Sequence, residues 1–321
     1  MTQSRVNKRK RRSKKALRIA VLIAVMMFLG TGGALAYFVY TLSDVTANSQ
    51  QELDRGEKSE KREEAVDPGK DNISVLFLGV DDRDGDLRGR TDAMLLATFN
   101  REESSIKILS IPRDSLVDIP GRANRDKINH AHAFGGLDLA VSTVEGFLDV
   151  PVDYYVKLNF EAFVEIIDAL GGVEVEVPFT FSEQDSTGAH GAITLYEGTH
   201  ELSGEEALAF VRMRKNDPRG DIGRGERQQE VIEAIIRKGA SFSSITRYNQ
   251  VLDSVDEHMT TNLSFGNIIA FHSYATSLND IESINLEGVD TRISGVYYYD
   301  IKEESRLAIS HTLRQHLGLT E

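Results

Sequence analysis

From Ile19 to Tyr40 the chain carries no charged residue, and the nine cations between Arg5 and Arg18, with no acid among them, stand immediately before that stretch. About 20 apolar residues are enough for a helix to cross the hydrocarbon core of a bilayer. A helix is required there because a backbone in lipid must satisfy its own hydrogen bonds. Residues 1–18 therefore read as a basic cytoplasmic tail and 19–40 as a transmembrane signal-anchor. Everything after Tyr40 is expected outside the cytoplasm, since the Lys/Arg excess sets orientation. Ala34-Leu35-Ala36 also fits a signal-peptidase site. Apolar character, however, runs on through Tyr37, Phe38, Val39 and Tyr40, beyond an h-region of roughly 7 to 15 residues, and this favours an uncleaved anchor.

The formal charge of the whole chain is −13 at pH 7, so the part beyond the basic tail is more acidic still. Such a body is a poor partner for nucleic acid, whose non-specific binding depends on Lys and Arg neutralising phosphates. There is no cysteine, which removes disulfides, zinc–thiolate sites and cysteine nucleophiles. Residues 41–70 are charged and poor in apolar side chains and read as a polar stalk. Residues 71–321 read as one domain, large enough to bury most of its surface.

Within that domain, short β-branched runs predict strands at Ile73–Val80, Ala93–Phe99, Ile106–Ile111, Tyr154–Leu158 and Val173–Val177, with a last one at Gly295–Ile301. Helical patterns fall between and after them: Asp138–Leu148, Phe160–Leu170 before the terminator Gly171-Gly172, Gly204–Met213, Glu226–Lys238, Tyr248–His258, Phe265–Leu278 and Glu303–Leu317. Interleaved strands and helices predict an α/β fold with a mixed central sheet flanked by helices on both faces.

The chemistry gathers where strands end. Asp81 and Asp82 directly follow the first strand, the place where open α/β sheets bind ligands, and Arg90-Thr91-Asp92 leads into the second. If those strands are neighbours, Asp81 and Asp92 converge on one hard cation, which takes one or two carboxylates together with phosphate oxygens. The stretch Asp82-Arg83-Asp84-Gly85-Asp86 fails as a calcium loop, because its glycine is misplaced and no Glu closes it. Pro112 ends the third ladder so that Arg113 leaves the sheet at the same edge, and Lys127-Ile128-Asn129 is expected to open a short helix whose amides favour anions. His130 and His132, two apart, share no helix face and make no metal motif.

The densest cationic stretch holds Arg212, Arg214, Arg219, Arg224 and Arg227, with Gly220, Gly223 and Gly225 leading into a helix that carries Gln228. Arginine forks bind phosphate bidentately, and a glycine-rich approach to a helix start offers backbone N–H groups to the same anion. There is no Gly-x-Ser-x-Gly elbow and no Walker loop.

Taken in order, Gly79-Val80-Asp81, Arg90-Thr91-Asp92, Ser110-Ile111-Pro112-Arg113-Asp114, Lys127-Ile128-Asn129, Gly171-Gly172-Val173, Val211-Arg212-Met213-Arg214 and Gly223-Arg224 with Arg227-Gln228 resemble the LytR-CpsA-Psr family of cell-envelope proteins, over a motif core at 73–238. The resemblance implies a phosphotransferase that moves an anionic cell-wall glycopolymer, of teichoic acid or capsule type, from a polyprenyl-pyrophosphate carrier to a muramic acid hydroxyl of peptidoglycan. It implies Mg²⁺ (or Mn²⁺) on the pyrophosphate, the lipid tail in an apolar groove, and pyrophosphatase as a side activity. It assigns metal or acid–base roles to Asp81 and Asp92, a catalytic and phosphate role to Arg113, and pyrophosphate contacts to Arg83, Lys127, Arg212, Arg214, Arg224 and Gln228. Arg219 matches no motif. The implied setting is the cell membrane of a Gram-positive bacterium, with one span and the domain outside. Two other readings stand beside it: a non-catalytic escort of polyprenyl lipids, which would not need the paired carboxylates, and a membrane-bound transcriptional attenuator, which the acidic exterior body disfavours.

Overall fold

The computed structural model describes residues 50–81, 87, 89–214, 217–239 and 258–319. The basic tail, the expected span, Arg83 and all but the end of the helix expected at Tyr248–His258 lie outside these residues. Among the described residues, no helix is long and apolar enough to cross a membrane.

Six strands form the central sheet: β1 (Ile73–Val80), β2 (Thr91–Asn100), β3 (Ser105–Ser110), β6 (Tyr154–Leu158), β11 (Met259–Thr261) and β12 (Ile281–Asn285). They lie in the order β11-β6-β1-β2-β3-β12. The first three make an antiparallel meander, β6 runs parallel to β1 and β12 parallel to β3, so the sheet is mixed. Four ribbons stand apart from it: β4 (Leu116–Val117) with β5 (Asp126–Lys127), β7 (Val173–Val177) with β10 (Gly198–Leu202), β8 (Phe181–Glu183) with β9 (Ile193–Leu195), and β13 (Gly288–Ile293) with β14 (Val296–Ile301). Among the described residues the helices are α1 (His130–Leu148), α2 (Phe160–Leu170), α3 (Gly204–Arg212), α4 (Asp221–Gly239), α5 (Phe265–Ala270) and α6 (Glu303–His316).

The period-2 alternation of side chains explains the layers. Leu76, Leu78, Met94, Leu96 and Leu109 join Leu137 and Val141 of α1 and Leu313 of α6 in one core. Ile73, Val75, Leu95, Ala97 and Ile108, from the intervening positions, join Ile232 and Ile236 of α4 and Ile268 of α5 in another. With both faces covered, the central strands read as unbroken apolar runs rather than alternating ones. Asn159 caps α2 by accepting the Ala162 N–H at 3.0 Å, and Gly171 ends that helix in the left-handed region at φ 80°, where only glycine is unstrained.

Several boundaries differ from the sequence reading. Residues 50–70 are no free stalk. Leu53 is buried in the main core, Arg62 pairs with Asp153 at 2.7 Å, Arg55 pairs with Glu145, and Tyr154 donates its hydroxyl to the Val66 carbonyl at 2.8 Å. The charges that look solvated in the sequence meet carboxylates more than 80 residues further along the chain, a pairing no local pattern displays. Lys127 lies in β5 and the helix begins only at His130, with a break in helical geometry at Gly135 and Gly136. The segment expected as one helix over Phe265–Leu278 continues from α5 as a 3₁₀ turn, Phe271–Asn279.

Helix α4 starts at Asp221 and so takes in Gly223 and Gly225, which the sequence reading assigned to the approach. Their purpose is proximity. A Cβ at 223 would sit 1.9 Å from Asp217 Oδ2, and one at 225 would sit 2.7 Å from Ser110 Oγ at the end of β3. Glycine lets the helix press on the sheet edge, and that contact outweighs its cost of roughly 1 kcal/mol in helix propensity. One turn further, the Gln229 amide nitrogen donates to Ile108 O at 2.9 Å and to Ile284 O at 2.8 Å, stitching α4 to β3 and β12.

The last helix is locked by His316. Its Nδ1 lies 2.8 Å from Thr98 Oγ1 and its Nε2 2.9 Å from Ser105 Oγ. Burial, aided by Lys107, lowers its pKa to about 4. The fold thus prefers neutral imidazole, so this contribution is complete above the unfolded value near 6.5 and is lost as pH falls toward 4. At about 1.4 kcal/mol per pH unit, roughly 3 kcal/mol of stability should disappear across that window. Urea unfolding followed by tyrosine fluorescence, possible because the chain has no Trp, should show His316→Gln to be less stable than wild type at neutral pH, with the gap closing toward pH 4. A gap independent of pH would show that the ring titrates normally.

Candidate active site

The sheet register collects the site. The end of β1, the start of antiparallel β2 and the end of β3 fall at one edge: Gly79 pairs with Ala93, and Leu95 with Ser110. Parallel β6 ends there too, Leu158 opposite Gly79, bringing Asn159 and Phe160 to the same place. A register shift at Gly79–Val80 bends the chain as it enters Asp81. On the other side His132, buried, places Nδ1 2.8 Å from the Gly89 carbonyl oxygen and so fixes the approach to Arg90-Thr91-Asp92.

Two cavities meet at Asp81 and Asp92. One, about 300 Å³, is mostly apolar and runs between the sheet and α2, α3 and α4, past Phe77, Leu95, Phe163 and Ile232. The other, about 670 Å³, is polar and is lined by Arg90, Arg113, Lys127, Asn129 and Arg214 among others. A narrow space of about 30 Å³ between them touches Asp92, Arg113, Arg224 and Gln228. Beyond the apolar cavity, a further apolar space of about 290 Å³ begins at the same Phe77 and reaches Phe271 and Tyr274.

Every described residue that the sequence reading proposed for the site lines one of these spaces. Asp81 and Asp92 belong to both large cavities, Arg113, Lys127 and Arg214 to the polar one, and Arg212, Arg224 and Gln228 to the apolar one. Arg83 lies outside the described residues. Arg212 and Arg214 separate because α3 ends at Arg212 and Met213 turns out of the helix with ψ 127°. Arg212 stacks over Phe160, 4.8 Å from the ring centroid, while Arg214 is half-exposed and 4.0 Å from Asp221.

The electrostatics favour an anion. Arg113 Nη1 donates to Asp92 Oδ1 at 2.5 Å. Burial opposes the Arg113 charge, but Asp92, with Asp221 and Asp114 behind it, holds the guanidinium above the ordinary arginine value. Burial also lowers the Arg224 pKa, and the neighbouring Arg113 and Arg214 add to that against the pull of Asp221. The Nε atoms of both Arg113 and Arg224 are buried with no hydrogen-bond partner. Buried donors left open beside like charges favour a polyanion in the space between them.

Two arginines of the cationic stretch have other duties. Arg227 is buried and donates to the carbonyls of Phe210 and Met213 and, at 2.5 Å, to Asp217 Oδ2. Arg219 points outward to Glu226, its side chain half-exposed. The sequence reading missed Arg90, Arg292 and Tyr297 as lining residues. For Arg90 a signal existed, since it stands two before Asp92 and period-2 alternation sends both to one side. Arg292 and Tyr297 come from the β13–β14 ribbon, far off in sequence, and nothing local marks them.

An apolar cavity that shares Asp81 and Asp92 with an arginine-lined polar one is the arrangement an amphiphile with an anionic head would need. The chain belongs to the LytR_cpsA_psr family, which it matches over residues 36–315. It is 42% identical to the polyisoprenyl-teichoic acid–peptidoglycan teichoic acid transferase TagT of Bacillus subtilis, over 99% of each chain. It is 43% identical to the corresponding TagU of Halalkalibacterium halodurans, over 93% of this chain and 99% of the relative. Among solved structures, TagT bound to LI-WTA matches 84% of this chain and 99% of its own with 44% identity and a TM-score of 0.72. The family protein YwtF (TagT) with bound octaprenyl pyrophosphate lipid matches 84% of this chain and 99% of its own at 42% identity, with a TM-score of 0.68.

Proposed function

We propose that this chain is a membrane-anchored phosphotransferase, facing the cell exterior, that moves a teichoic acid-type polymer from a polyprenyl pyrophosphate to a muramic acid hydroxyl of peptidoglycan. The observation that carries this reading is the junction at Asp81 and Asp92, where the apolar cavity meets the arginine-lined one. The prenyl chain would lie along Phe77 and Ile232, and the pyrophosphate between Arg113, Arg224 and Arg214. The relatives named as teichoic acid transferases support the same reading.

The acceptor hydroxyl oxygen attacks the polymer-side phosphorus. A phosphorus–oxygen bond forms to the sugar, the bond to the bridging oxygen breaks, and polyprenyl phosphate departs with that oxygen. The hydroxyl proton passes to a carboxylate of the Asp81–Asp92 pair. Phosphoryl transfer needs positioning and charge neutralisation more than covalent chemistry, which suits this residue set. Water in place of the sugar would give the pyrophosphatase side reaction.

Asp81 and Asp92 would hold Mg²⁺ or Mn²⁺. Two carboxylates completed by phosphate oxygens are a set such an ion accepts, whereas no group of three His, Cys, Asp or Glu that could cage a metal occurs among the described residues. When bound, the ion supplies charge neutralisation on the phosphates.

Titration of a short-chain polyprenyl pyrophosphate into purified protein tests the arrangement. Arg214→Lys and Arg212→Lys should weaken binding about ten-fold, because lysine keeps the charge but loses the bidentate fork. Arg219→Ala should leave that affinity unchanged, since its guanidinium already serves Glu226. Equal affinities in all variants, or no release of polyprenyl phosphate when the wild type is given lipid-linked polymer and peptidoglycan, would overturn the reading.

A further inference from the structure

A second polar cleft, about 330 Å³, opens beside the larger polar cavity and shares Asp114, Arg214 and Tyr297 with it. Their charges are opposite in balance. The larger cavity carries five Lys and Arg side chains, Arg90 and Arg292 among them, against three aspartates. The smaller carries Asp114, Asp221 and Asp290 against Arg214 and Arg219, with Asp217 buried in its wall and paired with Arg227. A polyphosphate polymer is at home in the first and less favoured in the second.

The smaller cleft is built rather than incidental. Tyr297, half-buried, donates its hydroxyl to Asp290 Oδ1 at 2.8 Å. The ribbon that carries both is fastened to the loop after β3: the Tyr299 N–H donates to Asp114 O at 2.9 Å, and the Tyr299 hydroxyl accepts the Gly288 N–H at 2.8 Å. Lys127 sits 5.8 Å from the Tyr297 ring centroid and 2.6 Å from Asp114, so the boundary between the two spaces is held from both sides.

We infer that this smaller cleft is the acceptor subsite, binding the uncharged sugar backbone of a glycan strand, with Tyr297 offering its ring to a pyranose and Asp290 and Asp221 accepting sugar hydroxyls. An aromatic surface with a few convergent polar groups is the usual make-up of a small-molecule site. Its position fits the chemistry, because a hydroxyl reaching past Arg214 enters the space where that same arginine meets the donor's phosphates. The inference rests on the phosphotransferase reading and deepens it by giving donor polymer and acceptor glycan separate, oppositely charged seats.

The test uses full-length protein in detergent with a soluble peptidoglycan glycan oligosaccharide as probe, read by calorimetry and by its KM in transfer. Tyr297→Ala should weaken oligosaccharide binding and raise its KM about ten-fold, with a much smaller effect on affinity for the polyprenyl pyrophosphate, which the arginines hold. Asp290→Asn should act in the same direction, more weakly. Tyr297→Phe, which keeps the ring, should retain most of the binding, and this separates loss of the platform from loss of the ribbon's fold. Unchanged oligosaccharide binding in Tyr297→Ala, no saturable binding by the wild type, or a loss confined to the lipid would each overturn the inference. If the wild type binds the oligosaccharide through Tyr297 yet transfers nothing to it, the subsite stands and the phosphotransferase reading falls.

Discussion

Asp92→Asn is expected to lower the rate of polymer transfer by about 10²- to 10³-fold, the loss typical of removing one preorganised electrostatic group from a site. Asp92 has two duties: it fixes Arg113 through the 2.5 Å bond, and with Asp81 it lines both large cavities. Asparagine keeps the shape, loses the charge, and leaves Arg113 without its nearest counter-ion. Because the Asp92 side chain is one-third exposed, the fold should lose little. The check is release of polyprenyl phosphate at graded Mg²⁺ concentrations, alongside thermal melting. A variant with wild-type rate and unchanged Mg²⁺ dependence would remove Asp92 from the chemistry.

The second large effect falls on stability. Asp217 and Arg227 form an ion pair with side chains 0% and 3% exposed, and deleting one partner of such a pair typically costs about 3 to 5 kcal/mol, because the other is left charged and buried. Asp217→Ala should therefore lower unfolding free energy by that amount and also weaken lipid pyrophosphate binding, since Arg227 ties the Phe210 and Met213 carbonyls that set the end of α3. The double variant Asp217→Ala/Arg227→Met should be less destabilised than the sum of the two singles. Additive losses in urea unfolding would show that the pair is not coupled.

How much of this was legible depended on whether the cause was local. Asp81, Asp92 and Arg113 could be placed because each adjoins an apolar run whose end is visible in the sequence. The convergence of those ends needed only β1, β2 and β3 to be neighbours, which the meander provides. Arg227 was less legible: in sequence it resembles Arg224, and only its burial against Asp217 distinguishes a structural guanidinium from a ligand-binding one. The start of α4 was hidden because glycine is a poor helix former, and the need for Gly223 and Gly225 arises from Asp217 and Ser110, which touch them only after folding. The segment before β1 was misjudged for the same reason, since Arg55 and Arg62 find their carboxylates at Glu145 and Asp153. Tyr297 was invisible because its meaning comes from the cavities it borders.

The Gln229 amide, bonded at once to Ile108 O and Ile284 O, turns α4 into a ruler laid against the sheet with its zero mark pinned. Arg224 and Gln228 are graduations on that ruler, and their offsets from the strand that leads to Arg113 are set when the chain folds, before any lipid arrives. Little reorientation is then left for the moment of reaction, which is where an electrostatic site gains most over water. Slippage of this one helix against its two strands would blur the graduations, so heating should silence transfer at a temperature below the one at which the sheet itself melts.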